Sequence, residues 1–321
     1  MAILLAGLDP RLKLLGISTV GSNQQVTRVT ENALRITDFY LGEVHVPILM
    51  GASKPLMRNP RHCGEIHGES GLDGINGEHG LPPCSAARME AWCSKERHLK
   101  AVPEIFRSIR HHFEQFREQV TIIATGSLTN VALLICIYGD ELREAVDAIV
   151  FMGGSVREGG NTGMVAEFNI QTDPEAAQIV VDAGIPVTML PLDVTHKVLV
   201  TEQIIERIRE IQPDSDVISR TVDLLLFFKK TYSEVFGFDA PPLHDPLAVA
   251  YVIRPEIFAT ERLFVSIERH NPLSAGQTIC DVHRISGNEP NVTVIGSVSV
   301  DGFWDLMCEA LSRSAMRPVP S

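Results

Sequence analysis

Short apolar runs alternate with longer amphipathic stretches along the chain. Runs rich in Val, Ile and Leu predict buried strands, namely Leu14–Val20, Val44–Met50, Val120–Ala124, Ala148–Met152 and Pro186–Leu190. Apolar positions at helical spacing predict helices over Gln25–Leu41, Lys100–Phe116, from about Thr129, and over Asp173–Ala183. Because strands and helices alternate, we expect an α/β fold with an open, mainly parallel sheet flanked by helices.

The domain organisation follows from what separates these elements. No linker rich in Pro, Gly or Ser divides the chain, so we expect residues 1–321 to form a single domain. The least regular stretch, at about 57–94, predicts a long loop region. Within it, the sequence HGESGLDG over His67–Gly74 fits either a mobile lid or a solvated loop, and its glycine content does not decide between them.

Composition narrows the classes of protein. The chain of 321 residues is 45% hydrophobic and carries a net charge of −12, which disfavours nucleic acid as a partner because phosphates would be repelled. No apolar run is long enough for a membrane span, and we expect a cytoplasmic protein. Six scattered cysteines indicate a reducing compartment and no zinc site, and we expect Cys136 and Cys308 to be buried as small hydrophobes.

Polar residues follow several of the predicted strands. Asn23 comes after the first strand, Thr125 after the third, and a glycine-rich loop after the fourth leads to Asn161 and Glu167-Phe168-Asn169. In open parallel sheets, ligands bind beyond the carboxyl ends of the strands. We therefore expect these side chains to meet at one edge, where carboxylates and amides suit the hydroxyls of a ribose and an aromatic ring suits its face.

Each of these groups also has a purely structural explanation. The stretch from Glu167 to Asn169 could be a polar loop before a capped helix, with Asp173 at the N-cap and Pro174 at the first helical position. His244-Asp245-Pro246 fits another helix start, or else a metal-binding carboxylate beside an imidazole that protonates a leaving group. The turn TGSLTN fits either a plain turn or an ion site built from backbone groups.

Seven stretches in order carry a resemblance to a known family: LLGISTV, HGESGLDG, TGSLTN, MGG, AEFN, DPEAA and LHDPLAVAY. Together they resemble the nucleoside hydrolases, calcium-dependent enzymes that split the N-glycosidic bond of ribonucleosides into ribose and free base. The resemblance implies a uridine- or inosine-type nucleosidase that binds Ca²⁺ and forms a homodimer or homotetramer. A His directly before the metal Asp is similar to the branch that prefers inosine, uridine or pyrimidines, whereas the purine-specific branch stacks the base between tryptophans.

The resemblance also implies a role for each site residue. It makes His244 the group that helps to protonate the leaving base, and it makes Asp245 and the carbonyl of Thr125 calcium ligands. The residues expected to bind or enclose the substrate are Asn23, His67, Met152, Asn161, Glu167, Phe168, Asn169 and Asp245.

One part of the family pattern has no counterpart in this sequence. The family opens with a strand and an Asp-rich turn, D-x-D-P-G-x-D-D, that supplies calcium ligands and the base that activates water. Here Met1–Ala6 is similar to the helix that follows that turn. From the sequence as written we expect the first strand to be missing, calcium binding to be weak, stability to be low, and turnover to be slight. The alternative is a catalytically inactive protein that binds a nucleoside or ribose.

Overall fold

The computed structural model describes residues 1–42, 44, 46–76, 78–86, 89–90 and 101–317. Its helices are α1 (Ala2–Leu8), α2 (Val26–Leu41), α3 (Gly64–His67), α4 (Ala101–Phe116), α5 (Thr129–Ala145), α6 (Phe168–Thr172), α7 (Pro174–Val181), α8 (Leu192–Thr195), α9 (Glu202–Arg209), α10 (Asp216–Phe236), α11 (Pro246–Ile253) and α12 (Val300–Ala315). Its strands are β1 (Ile17–Thr19), β2 (Ile48–Met50), β3 (Val120–Ala124), β4 (Val146–Met152), β5 (Val187–Leu190), β6 (Phe258–Leu263), β7 (Val265–Ile267), β8 (Thr278–Cys280) and β9 (Val292–Val298).

The strands of the described residues form three sheets. The largest has the order β3-β4-β5-β9-β6, in which the first four strands run parallel and β6 is an antiparallel edge. β1 and β2 form a separate parallel pair, and β7 with β8 forms a small antiparallel pair. The α/β fold with a mainly parallel sheet is confirmed, whereas a single domain over residues 1–321 stays a prediction.

Two apolar cores cover the opposite faces of the large sheet. Along β4, Val150 and Met152 pack into one core, and Ile149 and Phe151 pack into the other. This alternation, with both faces buried, explains why β4 and β5 are nearly continuous apolar runs. β3 differs, because all five of its residues are only half-buried despite an equally apolar sequence.

A single buried amide links the β1–β2 pair to the large sheet. The Nδ2 of Asn130, in α5, donates to Ser18 Oγ at 2.7 Å and to the carbonyl of Thr19 at 2.8 Å, while its Oδ1 accepts from the backbone N–H of Ala52 at 2.9 Å. Position 51 has to be glycine, because a Cβ there would lie 2.2 Å from Asn130 Nδ2. The link fixes the end of β1 beside the end of β3.

The expectation that Cys136 is buried is wrong. Cys136 is exposed, and Cys308 is half-buried. Cys136 comes two residues after Leu134, which is 2% exposed, and two residues turn a helix by about 200°. The thiol therefore lies on the outer face of α5, although its neighbours in sequence are apolar.

The helix start predicted at Asp173 is confirmed. The Asp173 carboxylate caps α7 and also binds two distant segments of the chain. One oxygen accepts from the backbone N–H of Ala176 at 3.1 Å. The other accepts from the backbone N–H of Leu56 at 2.8 Å and from the Thr129 hydroxyl at 2.6 Å. The fully buried Asp173 thus holds the loop after β2 and the start of α5 against α7.

Over its described residues, the region at 57–94 is less regular than its surroundings, as expected, although it contains the short helix α3; residues 77, 87–88 and 91–94 lie outside the described part of the chain. Within the described part of the chain, none of the helices is long and apolar enough to cross a membrane.

We expect the substitution Asp173→Ala to lower the free energy of unfolding by about 2–4 kcal/mol. It removes an N-cap and leaves buried donors without an acceptor. Urea unfolding followed by circular dichroism measures the change. The matched control is Asp140→Ala, which removes an exposed ion pair with Arg143 and should cost under about 1 kcal/mol. Equal losses in the two variants would contradict the proposed role of Asp173.

Candidate active site

A cavity of about 1410 Å³ opens where β1, β3 and β4 end. All ten residues singled out from the sequence line it, namely Asn23, His67, Thr125, Met152, Asn161, Glu167, Phe168, Asn169, His244 and Asp245. Six of them follow the carboxyl ends of β1, β3 and β4, when the stretch from Asn161 to Asn169 is included, and Met152 is the last residue of β4, as the sheet rule requires. His67 lies at the end of α3, and His244 and Asp245 directly precede α11. Their individual roles stay predictions, and the contacts below bear on each of them.

The imidazole of His244 is held at both ring nitrogens. Its Nδ1 lies 2.7 Å from the hydroxyl of Thr195, at the end of α8, and its Nε2 lies 2.9 Å from the hydroxyl of Tyr232, on α10. Burial lowers the pKa of His244 to about 3, and the neighbouring His196 and His67 add to the effect. The ring is therefore neutral at pH 7. The Tyr232 hydroxyl lies against Nε2.

The carboxylate of Asp245 is not used as a helix cap. Asp245 precedes Pro246 at the start of α11, but its side chain makes no capping hydrogen bond. Burial raises the pKa of Asp245 to about 7, and the nearby α-amino group of Met1 acts in the opposite direction. The capping explanation of the Asp-Pro pair thus lacks its hydrogen bond, and the carboxyl group is left for the cavity.

Glu167, in contrast, caps a helix. Its Oε1 accepts from the backbone N–H of Asn169 at 2.9 Å, and its Oε2 accepts from those of Gly154 at 3.0 Å and Ile170 at 3.2 Å. Burial nonetheless raises the pKa of Glu167 to about 7, because three backbone donors only partly offset the loss of water. Both explanations of this residue hold together, since the side chain starts α6 and also lines the cavity.

The amide of Asn169 fixes the ends of two strands. Its Nδ2 donates to the carbonyl of Met152 at 3.1 Å and lies 3.4 Å from the carbonyl of Thr125. Nearby, the Oδ1 of Asn161 accepts from the backbone N–H of Phe168 at 2.9 Å. These contacts hold the loop after β4 in one shape around the cavity.

The loop that carries His67 is docked over the cavity. His67 Nε2 lies 3.1 Å from Asn23 Nδ2, and its ring stacks on Phe228 with a centroid distance of 6.0 Å. Thr231 donates to the carbonyl of Ile66 at 2.9 Å, which fixes α3 on α10. Burial lowers the pKa of His67 to about 4, so the ring is neutral at pH 7.

Three residues of the site were not found from the sequence: Thr195, Phe228 and Tyr232. Phe228 and Tyr232 lie four residues apart on α10, so they share one face of that helix. An aromatic pair at this spacing is a usable signal, although it fits an ordinary core equally well. No sequence signal marks Thr195, because its partner His244 lies 49 residues away.

The oxygen atoms of the site are few for a calcium ion. Ca²⁺ takes six to eight oxygen ligands. The sequence resemblance predicts two calcium ligands here, the carboxylate of Asp245 and the carbonyl of Thr125. The Thr125 carbonyl also lies near the amide of Asn169. Over the described ranges, no group of three or more His, Cys, Asp or Glu side chains could hold a metal ion. The residues that the structure describes do not form a complete calcium site.

Comparison with known proteins identifies the family. A family model described as inosine-uridine preferring nucleoside hydrolase matches residues 1–305. This chain belongs to that family. A probable ribonucleoside hydrolase of Dictyostelium discoideum is 40% identical over 320 residues, which cover 97% of this chain and 90% of the relative.

Two further relatives point to the same chemistry. A pyrimidine-specific ribonucleoside hydrolase of Photobacterium profundum is 38% identical over 317 residues, covering 98% of this chain and 94% of the relative. The structure of a purine-preferring ribonucleoside hydrolase from Gardnerella vaginalis matches with a TM-score of 0.81 at 27% identity, covering 98% of this chain and 94% of that one. The chain is thus an N-glycosyl hydrolase of ribonucleosides by family, and an inactive binding protein is not favoured.

Glu167 should make stability fall as the pH rises. Its carboxyl group has a pKa of about 7 when folded against an ordinary value of 4.5, so the folded state holds a proton that the unfolded state has lost. Between about pH 4.5 and 7, the free energy of unfolding should therefore decrease by roughly 3 kcal/mol from this group.

The variant Glu167→Gln should lose that part of the pH dependence. Urea unfolding at several pH values, with a chelator throughout, measures the slopes of the variant and the parent chain. The slopes are compared rather than the absolute stabilities, because the amide also weakens the cap of α6. Identical slopes in the two proteins would contradict the raised pKa.

Proposed function

We propose that this chain hydrolyses pyrimidine ribonucleosides, with uridine as the test substrate, to ribose and free base. The observation that carries the proposal is the pairing of His244 with Tyr232 in the same cavity as the uncapped carboxyl group of Asp245. One end of the cavity thus suits a polyol, and the other suits a leaving group that needs a proton.

The ribose would bind where the strands end. Asp245 accepts hydrogen bonds from sugar hydroxyls, and Asn23, Asn161 and Asn169 supply amides that both donate and accept. Phe168 and Met152 line the cavity beside them. Breaking the bond to the base places positive charge on the ribose ring, and a carboxylate held by the hydroxyls stabilises that charge.

The base would leave beside α10. The Tyr232 hydroxyl holds a proton at the cavity surface, and His244 Nε2 is its hydrogen-bond partner. Thr195 fixes the orientation of the ring through Nδ1. In this arrangement the bond between ribose and base breaks as Tyr232 donates a proton to the base, water adds to the ribose carbon, and the proton that this water releases returns to Tyr232 through His244. The docked loop with His67 keeps bulk water from the reacting atoms.

The preference for pyrimidines rests on two observations. A relative named pyrimidine-specific is 38% identical over nearly the whole chain. Trp304 is 1% exposed in the core and does not line the cavity, so it cannot stack on a base; Trp92 lies outside the described residues.

We further propose that Asp245 and the Thr125 carbonyl are the oxygens this chain offers to Ca²⁺, whose role when bound would be to orient the attacking water. Since the described ligands are too few for a complete site, the steps above rest on the chain's own residues. A cytoplasmic location and a homodimer or homotetramer belong to the same proposal.

Ribose release from uridine and inosine is the direct test, measured with calcium and with a chelator at high enzyme concentration. We expect ribose to be released slowly from both nucleosides, and faster from uridine than from inosine. Binding of uridine by calorimetry without any ribose release would instead support the inactive nucleoside-binding protein. Faster release from inosine would contradict the pyrimidine preference.

The variant His244→Ala separates proton donation from folding. We expect kcat/KM for uridine to fall about 100-fold, because Tyr232 loses the partner that orients its hydroxyl and restores its proton. A riboside with a nitrophenolate leaving group needs no proton, so its hydrolysis should change little. Tyr232→Phe should show the same contrast, and the exposed His270→Ala should leave both reactions unchanged. Equal losses for both substrates would show that His244 only maintains the structure.

Calcium binding should be weak and should depend on Asp245. By isothermal titration we expect a Kd no tighter than roughly 10⁻⁴ M, because few ligands are present. Asp245→Asn should abolish the heat signal, whereas the exposed Asp140→Asn should not. Submicromolar binding that survives Asp245→Asn would place the ion elsewhere.

A further inference from the structure

The short helix α8 lies between the two halves of the candidate site. One half is the loop between β4 and α6, residues 153–167, which we call the ribose loop because it carries Asn161 and Glu167. The other half is the imidazole of His244. β4 and β5 are parallel neighbours whose last residues pair with each other, so the ribose loop and α8 leave the sheet side by side.

Asp193, in α8, binds the start of the ribose loop. Its Oδ2 accepts from the backbone N–H of Val156 at 2.7 Å, and its Oδ1 accepts from that of Arg157 at 2.8 Å. The backbone N–H of Leu192 donates to the carbonyl of Gly154 at 2.9 Å. Hydrogen bonds to a carboxylate are roughly twice as strong as those between neutral groups. The start of the ribose loop is therefore fixed to α8.

The ribose loop is closed by hydrogen bonds of its own. The backbone N–H of Gly154 donates to Glu167 Oε2 at 3.0 Å, and that of Asn161 donates to the carbonyl of Ala166 at 3.2 Å. Position 154 has little room to adjust, because a Cβ there would lie 2.9 Å from Met189 Sδ. A displacement at the start of the loop is therefore transmitted to Glu167 and Asn161.

The same turn of α8 also orients His244. Thr195, two residues after Asp193, is fully buried, and its hydroxyl lies 2.7 Å from His244 Nδ1. His196 follows directly, and its Nδ1 lies 3.2 Å from Oε1 of Glu158 in the ribose loop. The ring centre of His196 lies 5.6 Å from that of His244. One turn of helix thus contacts both halves of the site.

Neither Asp193 nor Thr195 lines the cavity, so neither is placed to touch a substrate. We propose that Asp193 is a positioning residue, which acts through α8 to place the ribose loop and the His244 ring relative to each other. Through this link, the fit of the ribose is coupled to proton transfer at His244. The inference rests on the proposed function, because it assumes that the ring serves the departing base.

A plain structural anchor is the alternative role of Asp193. In that role, the carboxylate stabilises the ribose loop, and the position of the His244 ring does not depend on it. Two substitutions separate the roles. Asp193→Asn keeps the shape of the side chain but turns one acceptor into a donor, and Thr195→Val keeps the shape but removes the hydroxyl next to His244.

The two variants should differ in their effect on two substrates, uridine and the riboside with a nitrophenolate leaving group. We expect Asp193→Asn to lower kcat/KM about 100-fold for uridine and about tenfold for the nitrophenolate riboside, because it disturbs both halves of the site. We expect Thr195→Val to lower kcat/KM about tenfold for uridine and less than about twofold for the nitrophenolate riboside, because it disturbs only proton transfer.

The double variant tests the link through α8. Once Thr195→Val has removed the contact with His244, adding Asp193→Asn should cost about tenfold for either substrate. The total loss for uridine is then about 100-fold, the same as in Asp193→Asn alone. Independent roles would instead multiply to a loss of about 1000-fold. The matched control is Asp147→Asn, at an exposed position near the opposite end of β4, which should leave both kcat/KM values unchanged.

Nitrogen-15 NMR of the histidine rings tests the same link without substrate. The signals of His244 are those lost in His244→Ala. We expect Asp193→Asn to move the ring-nitrogen resonances of His244 and Asp147→Asn to leave them in place, with a chelator throughout. The charges that act on the pKa of His244 are those of His196 and His67, so a change in its resonances would report a displaced ring.

The outcomes separate this inference from the proposed function. No ribose release from either substrate would contradict the proposed function, and the NMR comparison would still decide whether Asp193 places the ring. Equal losses for the two substrates in Asp193→Asn, a loss of about 1000-fold in the double variant, or unmoved His244 resonances would each overturn the coupling. Should Asp193→Asn fail to fold, Asp193→Ser replaces it in every comparison, because its hydroxyl can still accept one of the two hydrogen bonds.

Discussion

The geometry of the site depends on the side-chain amide of Asn130. The β1–β2 pair and the large sheet share no ladder among the described residues, so the relative position of Asn23 and Thr125 is not set by strand pairing. The three hydrogen bonds of Asn130 supply that constraint, and Gly51 leaves the space for them. An amide suits this task because it donates and accepts at once, and because its burial is compensated by its partners.

Within the site, the balance of charge is unusual. Glu167 is buried and Asp245 is half-buried, and the charge of Asp245 raises the pKa of Glu167 further. His67 and His244 nearby are held neutral. No described Lys or Arg side chain forms an ion pair with either carboxyl group. A ligand that brings hydroxyl donors or positive charge would therefore be stabilised here more than in water. An oxocarbenium-like ribose meets that description.

The sequence was sufficient for the parts of the structure that follow from strand ends. The parallel sheet rule brings residues from separate loops to one edge, and the ten candidate residues do line one cavity. The contacts of Tyr232 with His244 could not be predicted, because α10 follows no strand of the large sheet and its position depends on packing. The two roles of Glu167, as a helix cap and as a cavity residue, could not be predicted either. They depend on the backbone N–H groups of Gly154, Asn169 and Ile170 lying near its carboxylate. The burial of Cys136 was predicted wrongly, because its apolar neighbours in sequence do not indicate which face of α5 points to solvent.

The shared cap at Asp173 has a consequence for the motions of the molecule. Its carboxylate is bound at once by a residue 117 positions earlier, by one 44 positions earlier and by the first turn of its own helix. A helix capped from a distance cannot fray at that end without releasing the distant segments as well. The amide hydrogens in the first turn of α7 should therefore exchange with solvent through large cooperative openings, not through local ones.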